Sequence, residues 1–508
     1  MSALATTPVT PSATVSAAAA VTRVGRNTAY RVAAQAASAL INVVGMVLLG
    51  NALSASGYGD YVFWYALMPL AASVSDLGAG VIVTREIARR PADAARILGD
   101  GLLLRLVVGV TMLLAVLFVA GPVLGPARTG LALLVTAAAL FDFGQDAAVW
   151  AARARERLDH EAVLLLVSQT AWLAGIALGV WLHAPLAFLL ATAAVAFVLR
   201  TLVGAVWVVR SGIRPSFAPS LARLRVLARE GWPVGLSLLL VVLYGRVGVF
   251  ALKALASAAD VACFNVAYML SQPLGFMASA LAMAAFPAFA RLGAGDGEVM
   301  RKALRAAQKY QLLLSLPLAA GLSLLSARIV PLFFHGGAGY ERAAAGLGLV
   351  ALGLPFVFLN LQSRYLLAAV GKQHAYLWAV AAGLLVNVAG CVLTARSFGV
   401  TGAAGAFVAA EFTVFLVCRH AQSAHVSVAD LLRAAGRPLL ATLLMTVAVY
   451  FSRAAILPLA VLVGMLTYVA ALYATRALSR DEWEVVRRVI VSFRLPGARR
   501  LAGESGPA

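Results

Sequence analysis

Long apolar runs follow one another along most of the chain and are separated by short polar connections. A helix needs roughly 20 apolar residues to cross about 30 Å of hydrocarbon, and these runs are long enough. They lack the alternation of barrel strands, and an open sheet would leave backbone groups unpaired in lipid. We therefore predict fourteen transmembrane helices, near residues 28–50, 59–83, 101–121, 130–150, 162–182, 185–208, 231–252, 260–286, 311–334, 344–368, 375–395, 399–418, 438–452 and 456–475.

The composition agrees with a membrane protein and excludes a soluble globule. Of the 508 residues, 62% are hydrophobic and 12% are charged, whereas soluble domains are about 45–50% apolar. A net charge of +20 points to nucleic acid only in a chain with a soluble basic domain, which this sequence lacks. Cys263, Cys391 and Cys418 have no metal-type spacing, so we expect helix packing and neither disulfide, metal nor cofactor.

The basic residues are unevenly distributed among the connections. Most of the 41 lysines and arginines fall in alternate connections, starting before the first run and ending in 476–508. Cytoplasmic connections are enriched in Lys and Arg, which predicts an inner-membrane protein with both termini in the cytoplasm. Residues 1–22 lack the basic start of a signal peptide and are predicted to be a disordered tail. The basic tail 476–508 fits a short amphipathic helix or a disordered segment equally well.

Two segments of the chain resemble each other. ALSASGYGDYVFWYALMPL (52–70) and ALASAADVACFNVAYMLSQPL (254–274) each join the first two helices of a set of six, with Pro69 or Pro273 inside the second helix. We predict six-helix bundles at 23–210 and 231–420, a linker at 211–230, and two further helices in 421–475. Six is an even number, so the repeat is parallel, as in transporters whose bundles rock around a shared cavity.

Six segments carry a family resemblance: GYGDYVFWYAL (57–67), SDLGAGVIVTREIARR (75–90), AAFPAFARL (284–292), LSLPLAAGLSLLSARIVPLFF (314–334), ALGLPFVFLNLQSRYLLAAVGKQ (351–373) and FGVTGAAGAFVAAE (398–411). In this order they resemble the Wzx-type polysaccharide flippases of the multidrug and oligosaccharidyl-lipid exporter superfamily. The resemblance implies a V-shaped pair of six-helix bundles plus two helices. It also implies undecaprenyl-diphosphate-linked oligosaccharides as substrates, moved from the cytoplasmic to the outer leaflet.

One position departs from the family. Similar proteins often carry an Asp just before the Arg of the seventh helix, whereas this chain has Gly245 before Arg246. Coupling to H⁺ or Na⁺ through that carboxylate is therefore not implied.

Arginines inside the spans are the first candidates for substrate contacts. A lipid diphosphate is anionic, and an arginine-lined cavity offsets the cost of removing it from water through bidentate hydrogen bonds. Arg246 lies deep in the seventh helix among apolar neighbours, which makes it the main candidate. Arg31 and Arg364 are further candidates, with membrane anchoring as the alternative. Arg105 is expected to be an interfacial anchor.

Other polar residues within the spans complete the candidate set. Gln35 and Asn42 share a face of the first helix, so they are expected to contact sugar hydroxyls or to bond between helices. Four acids, Asp76, Asp142, Asp146 and Glu411, could relay a proton, hold Na⁺, or pair with a cavity arginine. Asp142 and Asp146 are four residues apart and share a face.

Three other functions compete with the polysaccharide flippase. A peptidoglycan-precursor flippase would use the same anionic handle. A small-molecule exporter of the same fold would favour an acidic cavity for cationic drugs, which the arginines oppose. A membrane glycosyltransferase or polymerase would need acidic catalytic residues and a sizeable outer loop, and the sequence has no such acid–base pair. A non-enzymatic flippase, acting alone or beside a polysaccharide polymerase, is the preferred prediction.

Overall fold

The computed structural model contains helices and no strand over the residues that it describes. These are 11–478 without 142, 156, 219, 293–296, 336–338 and 424–426, together with Glu482. For 11–29, 31–32, 120, 143–145 and 287 it describes the backbone alone. The predicted all-α class is confirmed. The α-helices of these ranges are α1 Pro11–Ala52, α2 Ala55–Asp76, α3 Ala79–Arg89, α4 Ala94–Ala115, α5 Gly121–Leu124, α6 Pro126–Phe141, α7 Phe143–Ala154, α8 Leu158–Trp181, α9 Leu186–Arg210, α10 Leu221–Tyr244, α11 Val247–Leu255, α12 Ala258–Ser271, α13 Leu274–Leu292, α14 Gly297–Phe333, α15 Glu341–Leu352, α16 Leu354–Ala369, α17 Gln373–Ala421, α18 Val428–Ser452 and α19 Leu457–Ala474.

The number of spans agrees with the hydropathy pattern. Within the described residues, 11 helical stretches are long and apolar enough to cross a membrane, or up to 13 when each bent pair is one span. The bent pairs are α2–α3, at 47°, and α15–α16, at 44°. Helix α17 has 49 residues, which is more than one crossing needs.

Helix α17 folds back on itself at Gly399, where the backbone adopts φ 52° and ψ −124°. A Cβ on Gly402 would lie 2.6 Å from the Thr394 carbonyl oxygen, and a Cβ on Gly390 would lie 2.8 Å from the Ala406 Cβ. The segments before and after Gly399 therefore run side by side as two spans. Glycine suits this position because a side chain disfavours positive φ. With α17 counted twice, the described chain has the fourteen predicted spans.

Several spans are broken where the hydropathy pattern predicts continuous helices. The second span turns at Leu77 and Gly78, whose φ values are 46° and 74°. A Cβ on Gly78 would lie 2.3 Å from the Gly231 carbonyl oxygen, so this joint packs directly on the backbone of α10. The seventh span breaks between α10 and α11, at Gly245 and Arg246. Broken helices are tolerated in membranes where the backbone is buried in protein or lines a cavity.

The two similar segments fold alike at their start. Ser54 and Ser257 are the N-caps of α2 and α12, and each hydroxyl accepts the backbone N–H three residues later at 3.1 Å. Such caps satisfy amides that the first helical turn leaves free. Pro69 lies inside α2 as predicted. Pro273 instead lies between α12 and α13.

The chain forms two compact units. The first comprises Met1–Met277, Ser326–Gly353 and Gln373–Cys418, and the second comprises Ala278–Leu325, Leu354–Lys372 and Arg419–Ala508. In the first unit α1 packs on α8, α2 on α12, and α12 on α15. Helices from both predicted bundles thus share one unit, and the bundle boundaries at 210 and 231 stay a prediction. Helix α1 already begins at Pro11, within the predicted disordered tail.

The second unit is held by polar contacts along α14. Gln311 donates from its side chain to the Ala278 carbonyl at 3.0 Å, and Tyr468 donates to the Leu313 carbonyl at 2.7 Å. Asp430, in the first turn of α18, is buried and pairs with Arg305. These bonds fix α13, α18 and α19 on the long helix α14. The segment 483–508, predicted to be a basic tail, lies outside the described residues.

Candidate functional site

A cavity of about 270 Å³ lies within the first unit, between α1, α2, α8, α12 and the joint of α10 with α11. Its lining residues are predominantly amides, hydroxyls and small or flexible apolar groups. They are Gln35, Ser38, Ala39, Asn42, Val43, Met46, Val62, Tyr65, Gln169, Arg246, Asn265, Tyr268, Met269, Gln272, Pro273 and Phe276. Since these residues belong to five spans, the cavity lies within the membrane-spanning part of the unit.

Arg246 lies at the joint in the seventh span. It is the N-cap residue of α11, with φ −119°, and its side chain is half-buried. Leu255 ends α11 nine residues later, which is about 14 Å of helix. The guanidinium acts electrostatically on the hydroxyls of Tyr65 and Tyr268. Among the described residues no carboxylate forms an ion pair with Arg246, which leaves its charge available to an anion in the cavity.

Carboxamides surround this charge. Gln35 and Asn42 on α1, Gln169 on α8, Asn265 on α12 and Gln272 directly after α12 all line the cavity. Such groups both donate and accept hydrogen bonds without adding charge. Among the described side chains Arg246 is the single charged group of the lining, whereas several arginines were predicted there.

Two of the carboxamides are held by neighbouring tyrosines. The Asn265 side chain donates to the Tyr58 hydroxyl at 2.9 Å. Asn42 hydrogen bonds the side chain of Tyr65. Packing of these amides against fixed aromatic rings presets their directions before any ligand arrives.

Gln169 brings an unused acceptor to the cavity. Its Oε1 atom is buried and makes no hydrogen bond to the described residues. An unsatisfied buried acceptor costs about 1–3 kcal/mol, which a ligand donor would recover. A ligand hydroxyl or amide N–H therefore fits this wall of the cavity.

Close contacts seal the cavity on the side predicted to face outward. A Cβ on Gly59 of α2 would lie 1.7 Å from the Ala258 carbonyl oxygen, so the two backbones touch. The next residue, Asp60, forms an ion pair with Lys253 at the end of α11. We call these four residues, Gly59, Asp60, Lys253 and Ala258, the outer seal. It joins the first and second halves of the chain.

Asn51 adds a second connection near the same surface. Its amide donates to the Phe333 carbonyl at 2.8 Å, and its oxygen accepts the His335 backbone N–H at 2.7 Å. The Tyr340 hydroxyl donates to the Gly50 carbonyl at 2.8 Å. The outer end of α1 is thereby tied to the end of α14 and the start of α15.

The structure brings three of the predicted substrate residues together. Gln35, Asn42 and Arg246 line one cavity. Arg31 precedes Gln35 by four residues on α1, but its side chain lies outside the described part. Arg364, on α16 in the second unit, has an exposed side chain and does not line this cavity. Substrate roles for all five residues stay predictions.

Two predicted coupling acids meet a buried arginine instead of the cavity. Arg105 forms an ion pair with Asp146, and its Nη1 lies 3.7 Å from the Asp76 Oδ1. The Arg105 side chain is only 4% exposed, so the prediction of an interfacial anchor is wrong. The two carboxylates offset part of the hydration that the guanidinium loses on burial. Asp142 lies outside the described residues.

Glu411 is the remaining predicted acid. It is buried in α17 and accepts a hydrogen bond from the Tyr244 hydroxyl at 2.8 Å. Tyr244 is the last residue of α10, directly before the joint that carries Arg246. Neither Glu411 nor Asp76 nor Asp146 lines the cavity, and a coupling role for each stays a prediction.

We expect Arg105→Ala to destabilise the protein strongly. Removing one partner of a buried ion pair costs about 3–5 kcal/mol, because the other charge is left uncompensated. The transition temperature of the purified protein in detergent, followed by intrinsic fluorescence, measures this loss. Arg96→Ala removes the half-exposed pair with Asp93 and should cost at most about 1 kcal/mol. Equal transition temperatures for both variants would contradict the prediction.

Sequence reasoning missed six polar residues of the cavity, namely Ser38, Tyr65, Gln169, Asn265, Tyr268 and Gln272. The sequence contains a signal for two of these residues. Asn265 and Gln272 are seven residues apart, the spacing that identified Gln35 and Asn42. Gln169 is a lone amide in an apolar span, which by sequence cannot be told from an interhelical bond.

Comparison with known proteins identifies the family. The model of the polysaccharide biosynthesis protein family matches residues 24–293, which is more than half of the chain. The chain belongs to this family. The MatE family model matches residues 233–393, a range that overlaps the first match at 233–293. Among curated proteins, no sequence matches.

Solved structures show which fold this chain resembles. The lipid II flippase MurJ in an inward closed conformation has 15% identity and a TM-score of 0.71, covering 86% of this chain and 96% of its own. An inward-facing MATE family multidrug resistance transporter has 18% identity and a TM-score of 0.60, covering 76% and 95%. A MOP superfamily transporter from Pyrococcus furiosus has 17% identity and a TM-score of 0.53, covering 83% and 95%. The chain is a multi-pass membrane protein of the MOP superfamily, with a flippase or transporter fold.

Proposed function

We propose that the protein moves undecaprenyl-diphosphate-linked oligosaccharide from the cytoplasmic to the outer leaflet of the inner membrane. The cargo would be a polysaccharide repeat unit of the O-antigen or exopolysaccharide class. Membership of the polysaccharide biosynthesis family supports this substrate class. Both termini would lie in the cytoplasm.

The observation that carries the proposal is the guanidinium of Arg246, which forms no ion pair with the described residues and lies among uncharged hydrogen-bonding groups. Arg246 offers a forked donor that matches phosphate geometry. The five carboxamides and the hydroxyls of Tyr65 and Tyr268 suit sugar hydroxyls, which both donate and accept. A phosphate joined to a neutral sugar presents this combination of groups.

The transport step follows from the outer seal. With Gly59 against Ala258 and Asp60 paired with Lys253, the cavity is closed on the predicted outer side. Release to the outer leaflet requires these contacts to separate while the inner side closes, which is alternating access. The ion pair costs little to break once water reaches it, because exposed pairs contribute about 0–1 kcal/mol.

A peptidoglycan-precursor flippase is the second candidate. The likeness to the lipid II flippase MurJ, at a TM-score of 0.71, favours it, and its substrate would present the same anionic handle. An exporter of cationic drugs is disfavoured because no acid lines the cavity among the described residues. The prediction that the protein is not an enzyme agrees with the transporter fold of the neighbours. Coupling to H⁺ or Na⁺ and cooperation with a polymerase remain parts of the proposal.

Leaflet-resolved labelling tests the proposal directly. In a strain lacking the gene, we expect lipid-linked repeat units to accumulate in the inner leaflet, out of reach of an impermeant sugar-modifying reagent. Re-expression of the chain should restore labelling of intact cells. Restored labelling of peptidoglycan precursor alone would replace the proposal by the second candidate. If the repeat-unit lipid and the peptidoglycan precursor are both labelled from outside whether or not the chain is present, both candidate functions are refuted.

A further inference from the structure

A second depression in the first unit, about 290 Å³ in volume, lies where α8 begins and α9 ends. Its lining is Arg155, Arg157, Trp207, Arg210 and Ser211, which we call the arginine groove. The groove lies at the end of two spans, within connections predicted to be cytoplasmic. It shares no residue with the cavity around Arg246.

The groove carries positive charge on an ordered frame. Arg155 donates to the Ser211 carbonyl at 3.1 Å, which holds its guanidinium beside the end of α9. Arg157 pairs with Asp159 at 3.0 Å. Within the described part of the chain, Arg155 and Arg210 form no ion pair.

An apolar stripe leads along α9 to this charge. Val195, Leu199, Leu202, Val206 and Val209 are between 42% and 66% exposed and are spaced by four, three, four and three residues. That spacing places them on one face of the helix. Arg210 follows Val206 by four residues and therefore ends the same face.

The end of the stripe is aromatic as well as basic. The Trp207 ring lies 4.7 Å, centroid to centroid, from the ring of His160 in the first turn of α8. Tryptophan concentrates at the level of lipid headgroups, where one part of its ring is wet. The stripe, the indole and the arginines thus follow the order of acyl chain, interface and phosphate in a phospholipid.

We infer that the arginine groove binds the phosphate of an anionic phospholipid of the inner leaflet, with an acyl chain along the α9 stripe. Basic pockets between transmembrane helices on the cytoplasmic side are suited to such headgroups. Arginine forks add directed hydrogen bonds to phosphate. The site is separate from the transported lipid and does not depend on the proposed function.

Native mass spectrometry of the full chain in detergent measures this binding, with phosphatidylglycerol and phosphatidylcholine as probes. We expect phosphatidylglycerol to be retained preferentially. Arg155→Ala/Arg210→Ala should weaken its retention about thirty-fold, since each surface arginine contributes about 1 kcal/mol. Arg210→Ala alone, which breaks no hydrogen bond between described residues, should weaken it about five-fold.

Arg89→Ala/Arg90→Ala is the matched control. These arginines are 66% and 67% exposed on the same predicted surface. The control should retain phosphatidylglycerol like the unchanged chain. Equal loss in control and groove variants would overturn the site, because general surface charge would then explain the binding. Equal retention of phosphatidylcholine, or stronger competition by undecaprenyl diphosphate at the groove, would overturn the assignment to phospholipid.

Discussion

Arg246→Ala is expected to reduce export of lipid-linked glycan about a hundredfold while the protein still inserts in the membrane. Arg246 supplies the one charge that lines the cavity among the described side chains. Removing one member of a desolvated charge pair costs about 2–5 kcal/mol, and a hundredfold is about 3 kcal/mol. Arg246→Lys keeps the charge but loses the forked pair of donors, so its export should lie between that of Arg246→Ala and that of the unchanged chain. Leaflet-resolved labelling, normalised to the amount of protein in the membrane, measures the effect.

Arg128→Ala is the control for this experiment. Arg128 is an exposed arginine of α6, away from the cavity, and its loss should leave export unchanged. Wild-type export by Arg246→Ala, at equal membrane levels, would remove the main substrate contact from the proposal.

Gly59→Leu should hold the outer seal apart and abolish export. Even the first side-chain carbon would meet the Ala258 carbonyl at 1.7 Å, and backbone cannot move aside as a side chain can. Overpacking of this kind costs about 1–3 kcal/mol, which is enough to shift a two-state equilibrium toward its open form. The buried thiol of Cys263, on α12, should then react with an impermeant maleimide added outside the cell.

Gly405→Ala serves as the matched control. Gly405 is also helical and within a span, but a Cβ there would meet nothing within 4 Å. It should export normally and keep Cys263 protected. A protected Cys263 together with normal export in Gly59→Leu would show that the outer seal does not need this backbone contact.

The spans could be predicted from the sequence because each residue that faces lipid must itself be apolar. Every backbone N–H and C=O in lipid must be hydrogen-bonded within its own helix. Long apolar stretches are therefore helical, and hydropathy alone locates the fourteen crossings. The joints at Gly78 and Arg246 could not be found in this way. The first joint packs on the backbone of α10 and the second borders the cavity, and both are tertiary relations that hydropathy does not contain.

The candidate site was predictable in part. Arg246, Gln35 and Asn42 were found because charge and paired amides are expensive in a span. Arg105 was misread, because a sequence gives the depth of an arginine but not the carboxylates that approach it from other helices. Asp146 and Asp76, which pair with it, come from two different spans.

The reversal at Gly399 has a consequence for biogenesis. The connector between the two halves of α17 is only a few residues long, with Arg396 and Ser397 beside Gly399, so we expect the two halves to insert as one unit during synthesis. The two helices would then enter the lipid together, as one apolar helical hairpin. A bulky residue at 399 would accordingly lower the yield of chains that the translocon inserts, independently of any effect on transport.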